Sequence, residues 1–371
     1  MQDLWRKIQK NTETDEDMYP RVVIDLNKFK NNVDHVNNRL VSLGIGVFGV
    51  TKVFCCDLKL AKIFADAKID AIADSRIENL KKIKDFNIKK VLIRIPMPSQ
   101  TEDVVKYSDI SLNSEITTLK ALSDAAVKQG KIHGVILMID LGDLREGYFD
   151  ENDFFAAMDE AVQLKGIKII GIGTNLTCFG AVIPKLNHMA KLIEMKYKVE
   201  AKYDITLKYI SAGNSSSYYL TEGEKLPSEI NNLRIGEIFA VGRETAYGKK
   251  VEGAEEDVFV LEAEIVEFKE KPSVPIGEQG IDAFGQKPVY EDKGIMTRAI
   301  CAVGRQDADI ASLLPFDEKT EIIGSSSDHV ILDVTLSQTK YKVGDIVRFH
   351  LKYGGILSVM TSEYVEKVYV E

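Results

Sequence analysis

Short apolar runs alternate with longer amphipathic stretches from about Tyr19 to Gly242. The runs are rich in β-branched residues and predict nine strands: 22–26, 45–51, 70–73, 90–95, 109–112, 134–139, 167–173, 208–211 and 233–235. Most stretches between them carry apolar residues three and four positions apart, as Leu58, Ala61 and Phe64 do, and therefore predict helices. The run 135–139 is apolar on both faces, which is typical of a parallel strand covered on both sides.

With the first run set aside, eight strands remain, and each is followed by a connection. This count predicts an α/β fold built on a (β/α)8 TIM barrel, whose functional residues lie at the C-terminal ends of the strands. After Gly242 the pattern changes to short strands with alternating polarity, separated by turns rich in Gly, Pro and Asp. We therefore predict two domains: a barrel with a short N-terminal lead-in over residues 1–245, and an all-β C-terminal domain over residues 246–371.

Composition narrows the possible partners. The chain has 371 residues, more than one core of average size needs, and this agrees with two domains. Its formal net charge of −9 disfavours a nucleic-acid partner, because an acidic surface repels phosphate backbones. No apolar run approaches the ~18 to 20 residues of a membrane helix. The first 17 residues also lack the apolar segment of a secretory signal. We expect a cytoplasmic protein that does not bind membranes.

The cysteines and histidines do not suggest a metal site. Cys55, Cys56, Cys178 and Cys301 form no CxxC pair, and the five histidines lie far apart without an HExxH-like spacing. We therefore predict neither a disulfide framework nor a bound metal.

Three segments at predicted strand ends carry residues suited to catalysis or to ligand binding. Lys52 ends an apolar strand, so it is expected in the barrel mouth, where a desolvated amine can attack carbonyl carbons. The alternative interpretation is that Lys52 simply extends from the strand end into solvent. Segments 210–217 and 232–237 follow the seventh and eighth barrel strands, where such barrels commonly bind phosphate. Each turn alone is common, but together they favour a phosphate-bearing ligand that forms a Schiff base, and pyridoxal 5′-phosphate (PLP) fits that description.

Several motifs also resemble those of fold-type III PLP enzymes of the alanine racemase type. Residues 20–27 resemble the opening strand of that family, Val50-Thr-Lys52 its lysine strand, and 139–145 the end of a later strand. Asn214-Ser215 and Arg234-Ile-Gly236 resemble its phosphate loop and its RPG motif. Longer strings, among them 73–80, 140–148 and 242–248, resemble the ornithine racemases, a branch of the same family.

The resemblance implies a role for each matched residue. Lys52 would hold PLP as a Schiff base and act as one proton-transfer base. Arg234 would face the pyridine nitrogen, and Arg145 would lie beside the phenolic oxygen of the cofactor. The phosphate would be held by residues of two loops with one further candidate near the chain end: Asn214, Ser215, Ser216, the backbone of Gly236 and Glu237, and Tyr364.

The chain also departs from the alanine racemase pattern. Arg305 stands where the family has its second base, a tyrosine, so the opposite acid/base stays open, with Asp307, Cys178 and Cys301 as candidates. Met138 replaces a lysine that is often carbamylated, and Cys56 replaces a tyrosine that binds phosphate.

The resemblance implies an isomerase that interconverts L- and D-ornithine, or a related basic amino acid, and works as a homodimer. The distal ammonium of such a substrate needs an acidic partner, for which Asp282, Asp307, Asp309 and Glu237 are candidates. A decarboxylase of the same fold type is the first alternative, but Ser327 and Arg234 stand where those enzymes carry a cysteine and a glutamate. A non-catalytic PLP carrier is the second, and it would leave the β domain without a purpose.

Overall fold

The computed structural model describes residues 18–222, 226–285 and 287–371 of the chain. These residues form two units: one comprises residues 28–256, and the other combines residues 18–27 with the described part of 257–371. Our prediction places a single division at residue 245, whereas residues 18–27 group with the C-terminal unit and the rest of that unit begins at residue 257. Most of the predicted N-terminal lead-in lies outside the described residues.

Eight parallel strands close into a barrel in the first unit, as the apolar runs predict. They are β2 (Gly46–Val50), β3 (Ala71–Asp74), β4 (Lys89–Leu92), β5 (Ile110–Asn113), β6 (His133–Met138), β7 (Ile167–Gly173), β8 (Tyr209–Ser211) and β9 (Asn232–Ile235). Each pairs with the next, and β9 pairs with β2 through registers such as Phe48 with Arg234, so the barrel has no free edge. The predicted TIM barrel is therefore confirmed.

Helices occupy most of the connections. They are α1 (Leu26–Ser42), α2 (Leu58–Asp66), α3 (Ile77–Lys82), α4 (Thr101–Tyr107), α5 (Ile116–Lys128), α6 (Glu151–Ala161), α7 (Leu186–Tyr203) and α8 (Glu237–Val241). Local capping defines where some of them begin. Asp57 accepts hydrogen bonds from the N–H groups of Lys59 and Leu60, and Asp150 accepts equivalent bonds at the start of α6.

The barrel interior is filled with apolar side chains. The buried cluster consists of Phe48, Val50, Ala71, Ala73, Val91, Ile110, Leu112, Ile136, Met138 and Tyr209. Met138 belongs to this core, so the position of the often carbamylated lysine is here an apolar packing site. A filled interior leaves the C-terminal ends of the strands as the place for chemistry.

The second unit is a mainly antiparallel sheet. Its strands are β1 (Arg21–Asp25), β10 (Phe259–Pro272), β11 (Ile295–Cys301), β12 (Leu313–Pro315), β13 (Glu321–Ser325), β14 (Val330–Asp333), β15 (Ile346–Leu351) and β16 (Glu366–Val370). The main path runs β12-β15-β10-β11-β14-β13, and β1 pairs with β10 and β16. A bulge between Ile265 and Glu267 lets the long β10 pair with β15 in its first half and with β11 in its second.

Two features of this unit were not predicted. The short strands β12 and β13 lack a clear alternation, and one helix, α9 (Tyr353–Thr361), interrupts the β pattern. The sequence of this helix does not indicate a helix, because it contains Gly354 and Gly355 and glycine disfavours helices. A Cβ at Gly354 would lie 2.5 Å from Asp309 Oδ2 and 2.7 Å from Ser312 Oγ, so a larger residue would have to displace these two side chains. In the part of the chain that the structure describes, no helix is long and apolar enough to cross a membrane.

Candidate active site

Lys52 lies two residues after the end of β2, at the C-terminal end of the barrel. It opens a short 3-10 turn, Lys52–Phe54, and is half-buried. The residue before it, Thr51, is fully buried, and its hydroxyl donates to Asp74 Oδ2 at 2.6 Å. Burial raises the pKa of Asp74, while hydrogen bonds from Thr51, Asn79 and the N–H of Arg76 oppose that rise. This network holds the start of the lysine turn against β3.

Arg234 points its guanidinium into a buried polar pocket formed by β8, β9 and the end of β7. Nη1 donates to Ser211 Oγ at 2.5 Å, and Nη2 donates to the carbonyl of Thr174 at 2.7 Å. Nη2 also donates to Asn175 Oδ1 at 3.3 Å. Burial lowers the pKa of Arg234 to about 10, and the charge of Glu146 opposes this shift. Arg234 therefore remains charged at neutral pH.

The loop after β8 is a tight turn lined with serines. Gly213 has φ of 107°, a left-handed conformation that favours glycine. The next residue, Asn214, accepts the N–H of Ser216 at 2.8 Å and donates to the carbonyl of Leu176 at 3.0 Å. Ser215 and Ser216 are both buried. The side chain of Asn214 therefore ties the serine turn to the loop after β7.

Gly236 brings the neighbouring loop close to β2. A Cβ at this position would lie 2.9 Å from Val50 Cβ and 3.0 Å from its carbonyl oxygen, so a larger residue would displace the loop. Helix α8 begins at the next residue, and the N–H of Ile238 donates to Ser215 Oγ at 3.5 Å. The serine turn and the beginning of α8 are therefore adjacent.

These features fit a phosphate-bearing ligand with polar ring atoms. Backbone N–H groups and serine hydroxyls are suited to bind an anion. In addition, Thr174 Oγ1 and Asn113 Oδ1, at the ends of β7 and β5, are buried without a hydrogen-bond partner among the described residues. Because buried polar atoms are normally paired, these orphaned oxygens agree with a polar group bound nearby.

Glu237 contributes a carboxyl group as well as its backbone. Burial raises the pKa of this carboxyl to about 7, and the positive charge of Lys52 lowers it. The charge interaction shows that the two side chains share one region of the barrel mouth. A carboxyl group with a pKa near 7 exists in both protonation states under physiological conditions.

Arg145 and Cys178 lie on the loops after β6 and β7. Arg145 Nη2 donates to Glu146 Oε1 at 2.7 Å, and its side chain is 40% exposed. Cys178 is exposed as a residue, but burial raises the pKa of its thiol, while Arg145 and Lys52 lower it. Asn214 Nδ2 donates to Cys178 Sγ at 3.2 Å. Both predicted residues therefore belong to the same mouth as Lys52.

The remaining candidates lie in the second unit. Asp307 accepts a hydrogen bond from Ser362 Oγ at 2.7 Å, and Tyr364 is 67% exposed. Arg305 Nε donates to Ser325 Oγ at 2.8 Å. Cys301 is fully buried in the sheet, where burial raises the pKa of its thiol to about 12, so it is a core residue.

Sequence reasoning missed four residues that organise the mouth: Asp74, Asp143, Glu146 and Asn175. Asp143 accepts backbone N–H groups from Thr177, Cys178, Phe179 and Val182 and so ties two loops together. These hydrogen bonds keep the pKa of Asp143 low although burial opposes them. Asp74 ends β3 and Asn175 lies two residues after β7, whereas Asp143 and Glu146 lie five and eight residues after β6. Polar residues that closely follow a buried run are the signal that could have identified the first two, and the sequence carries no such signal for the other two.

Comparisons with known proteins indicate the family of this chain. The family model described as alanine racemase, N-terminal domain, matches residues 24–243. The ornithine racemase of Acetoanaerobium sticklandii is 52% identical over 350 residues, which cover 94% of this chain and 99% of that protein. The lysine racemase of Thermotoga maritima is 38% identical over 354 residues, 95% of this chain and 99% of that protein.

A solved structure supports the same fold. The alanine racemase of Bartonella henselae with covalently bound pyridoxal phosphate matches with a TM-score of 0.71 and 18% identity, over 94% of this chain and 99% of that one. In the part of the chain that the structure describes, no three His, Cys, Asp or Glu side chains are grouped so as to hold a metal ion. The family model and both curated relatives lead to one conclusion: the chain belongs to the alanine racemase family.

Proposed function

We propose that this chain interconverts L- and D-ornithine, with PLP bound covalently at Lys52. The observation that carries the proposal is 52% identity to an ornithine racemase over nearly the whole chain. The lysine at the end of β2, the buried arginine and the serine turn agree with it. When bound, PLP withdraws electrons from the amino acid attached to it and so acidifies the Cα–H bond.

Each residue of the mouth would have a distinct task. Lys52 Nζ would bind the cofactor and, once released, take up or return the proton on one face of Cα. Asn214, Ser215, Ser216, Gly236 and the N–H of Glu237 would hold the phosphate. Arg145 would lie beside the phenolic oxygen.

Arg234 favours racemisation over competing reactions. A guanidinium cannot hand a proton to a pyridine nitrogen at neutral pH, because its pKa is too high even after burial lowers it to about 10. A neutral ring withdraws electrons less strongly, so charge at Cα would be short-lived. Protonation at Cα is then favoured over protonation at other atoms.

The proton on the opposite face needs a second acid/base, for which Cys178 and Asp307 remain our candidates. Cys178 is supported by its interactions with the charges of Lys52 and Arg145. Because burial raises the pKa of this thiol, it would begin as the proton donor in one direction of the reaction, and its thiolate would take up the proton from Cα in the reverse direction. Asp307 and Tyr364 remain predictions from the family resemblance.

The distal ammonium of ornithine requires a carboxylate partner, because an unpaired buried charge is costly. Among the acidic candidates, Glu237 is supported by its charge interaction with Lys52. We also propose a homodimer and a cytoplasmic location, which rest on the family resemblance and on the sequence.

Deuterium exchange tests the proposed function. The enzyme incubated with L-ornithine in D2O should incorporate deuterium at Cα and yield D-ornithine. Lys52→Ala should lose both the visible absorbance of PLP and this exchange, because the covalent link and one base are removed. Lys59→Ala, a helix lysine seven positions away in the same connection, is the matched control and should retain both. Release of carbon dioxide would favour the decarboxylase, and exchange by Lys52→Ala would contradict the assignment.

A further inference from the structure

Glu146 lies on a loop whose shape is determined by hydrogen bonds within the loop itself. Asp140 Oδ1 accepts the N–H groups of Gly142 at 2.8 Å and Leu144 at 3.1 Å. The N–H of Asp140 donates to the carbonyl of Tyr148 at 3.0 Å, which closes the loop. A Cβ at Gly147 would lie 2.5 Å from the Asp140 nitrogen, so the closing turn requires glycine. The hydrogen bonds of the loop therefore determine the position of the residue before this glycine, Glu146.

The carboxylate of Glu146 contacts two groups of the mouth. It binds the guanidinium of Arg145, with Oε1 accepting from Nη2 at 2.7 Å and Oε2 paired with Nε. The same Oε1 accepts from Asn175 Nδ2 at 3.0 Å. The Glu146 side chain is only 16% exposed, so solvent screens these interactions weakly.

Asn175 carries the connection to the other functional residues. Its Oδ1 accepts from Asn214 Nδ2 at 2.8 Å and from Arg234 Nη2 at 3.3 Å. The amide of Asn175 therefore joins Glu146, on the loop after β6, to the serine turn after β8 and to the buried Arg234. An amide is suited to this position because it donates on one side and accepts on the other.

The charge balance of Arg234 depends on this connection. The guanidinium of Arg234 donates to Ser211 Oγ, the Thr174 carbonyl and Asn175 Oδ1, and these acceptors are all neutral. Among the charges that act on this arginine, Glu146 is the strongest of those that favour its protonated form. Glu146 is thus the counter-ion of Arg145 by direct contact and of Arg234 through Asn175.

We propose that Glu146 is a positioning residue for both arginines, with Asn175 as the bridge, and that its negative charge sets the electrostatic field at the cofactor site. This inference rests on the proposed function, because Arg145 and Arg234 are the residues assigned to the ring of PLP. Loss of the charge would leave the two arginines and Lys52 without this counter-charge. Protonation of the bond between PLP and Lys52 would then be disfavoured.

Three variants separate the charge of Glu146 from the bridge. Glu146→Gln removes the charge and keeps the size of the side chain, Glu146→Asp restores the charge, and Asn175→Ala removes the bridge only. Glu151→Gln is the control, since Glu151 binds Lys198 on the surface of the same unit at 2.8 Å. The readouts are the pH midpoint at which the absorbance of bound PLP changes, the dissociation constant of PLP, and kcat and KM for ornithine.

Glu146→Gln should lower the pH midpoint by about one unit and reduce kcat about tenfold. Glu146→Asp should return the midpoint toward the wild-type value. Asn175→Ala should leave the midpoint nearly unchanged and weaken PLP binding about tenfold, because Asn214 and Arg234 lose an acceptor. Glu151→Gln should match the wild type in every readout.

Failure of the inference about Glu146 and failure of the proposed function would give different results. A wild-type midpoint and kcat in Glu146→Gln would overturn the inference, and so would crystal structures in which that variant leaves both guanidinium groups unmoved. The crystal comparison needs no cofactor and decides the inference even if Glu146→Gln binds no PLP. A wild-type enzyme without PLP absorbance or racemisation would instead overturn the proposed function.

Discussion

Individual residues at the strand ends combine two requirements, a charge and a fixed orientation. Arg234 and Asp74 are both buried, and each has several hydrogen-bond partners that direct it. Glu237 differs, because burial dominates its environment and raises the pKa of its carboxyl to about 7. A group of this kind makes stability depend on pH.

Glu237→Gln should reveal this dependence in the enzyme without PLP. The folded-state pKa of Glu237 lies above its ordinary value of 4.5, so its stabilising contribution is complete below pH 4.5 and is lost as the pH rises through about 7. The variant should therefore have the same free energy of unfolding as the wild type near pH 4.5 and exceed it by about 3 kcal/mol near pH 8. Urea unfolding at a series of pH values measures this difference.

The exposed Glu160, which pairs with Lys120, offers a control. Glu160→Gln should change the free energy of unfolding by less than about 1 kcal/mol, because exposed ion pairs contribute little. A difference between wild type and Glu237→Gln that stays constant across the pH range would show that Glu237 does not titrate as described.

At the level of elements, the site depends on how closely the loop after β9 approaches β2 and on its contact with the serine turn after β8. The sequence identified both loops from their Gly and Ser content and from their place after the seventh and eighth barrel strands. It did not reveal the reason for glycine at position 236, since the contact with Val50 exists only once β2 and β9 pair.

Gly236→Ala should therefore weaken cofactor binding. The added methyl group would meet Val50 at 2.9 Å, so the loop or the strand must shift. We expect a loss of about 1 to 3 kcal/mol in the free energy of unfolding and weaker retention of PLP. Thermal unfolding and equilibrium dialysis against PLP measure the two effects.

Gly280→Ala provides the control for this substitution. No atom lies within 4 Å of a Cβ placed at Gly280, so the same methyl group meets open space there. Equal effects of the two variants would show that the approach to Val50 does not matter for the site.

For the whole molecule, two exposed aromatic side chains lie on consecutive loops at the C-terminal end of the barrel. Phe149 is 72% exposed and Phe179 is 73% exposed. Large apolar side chains that are exposed in a single copy of a chain can be covered in a protein–protein contact. They support the proposed homodimer, in which the mouth of the barrel would be covered by a second copy of the chain.

Sedimentation tests this arrangement. The wild type should sediment as a dimer, and a variant with both Phe149→Ser and Phe179→Ser should dissociate more readily, because the contact loses apolar area. Ile132→Ser is the control: Ile132 is 70% exposed but precedes β6 and so lies at the opposite end of the barrel. A monomer with full turnover would contradict the proposal.

The sequence by itself determined the barrel, the all-β character of the C-terminal domain and the place of Lys52 close to the end of a barrel strand, since apolar periodicity and strand ends are local properties of the chain. It also indicated the family, through motifs that the comparisons bear out. Tertiary structure decided the membership of β1 in the C-terminal sheet, the helix α9 and the bridge from Glu146 through Asn175 to Arg234. The place of β1 and the bridge join residues far apart in the chain, and their contacts depend on strand register and loop shape, which no local spacing encodes. Helix α9 is a local element, but its two glycines disfavour a helix and so remove the local signal for it.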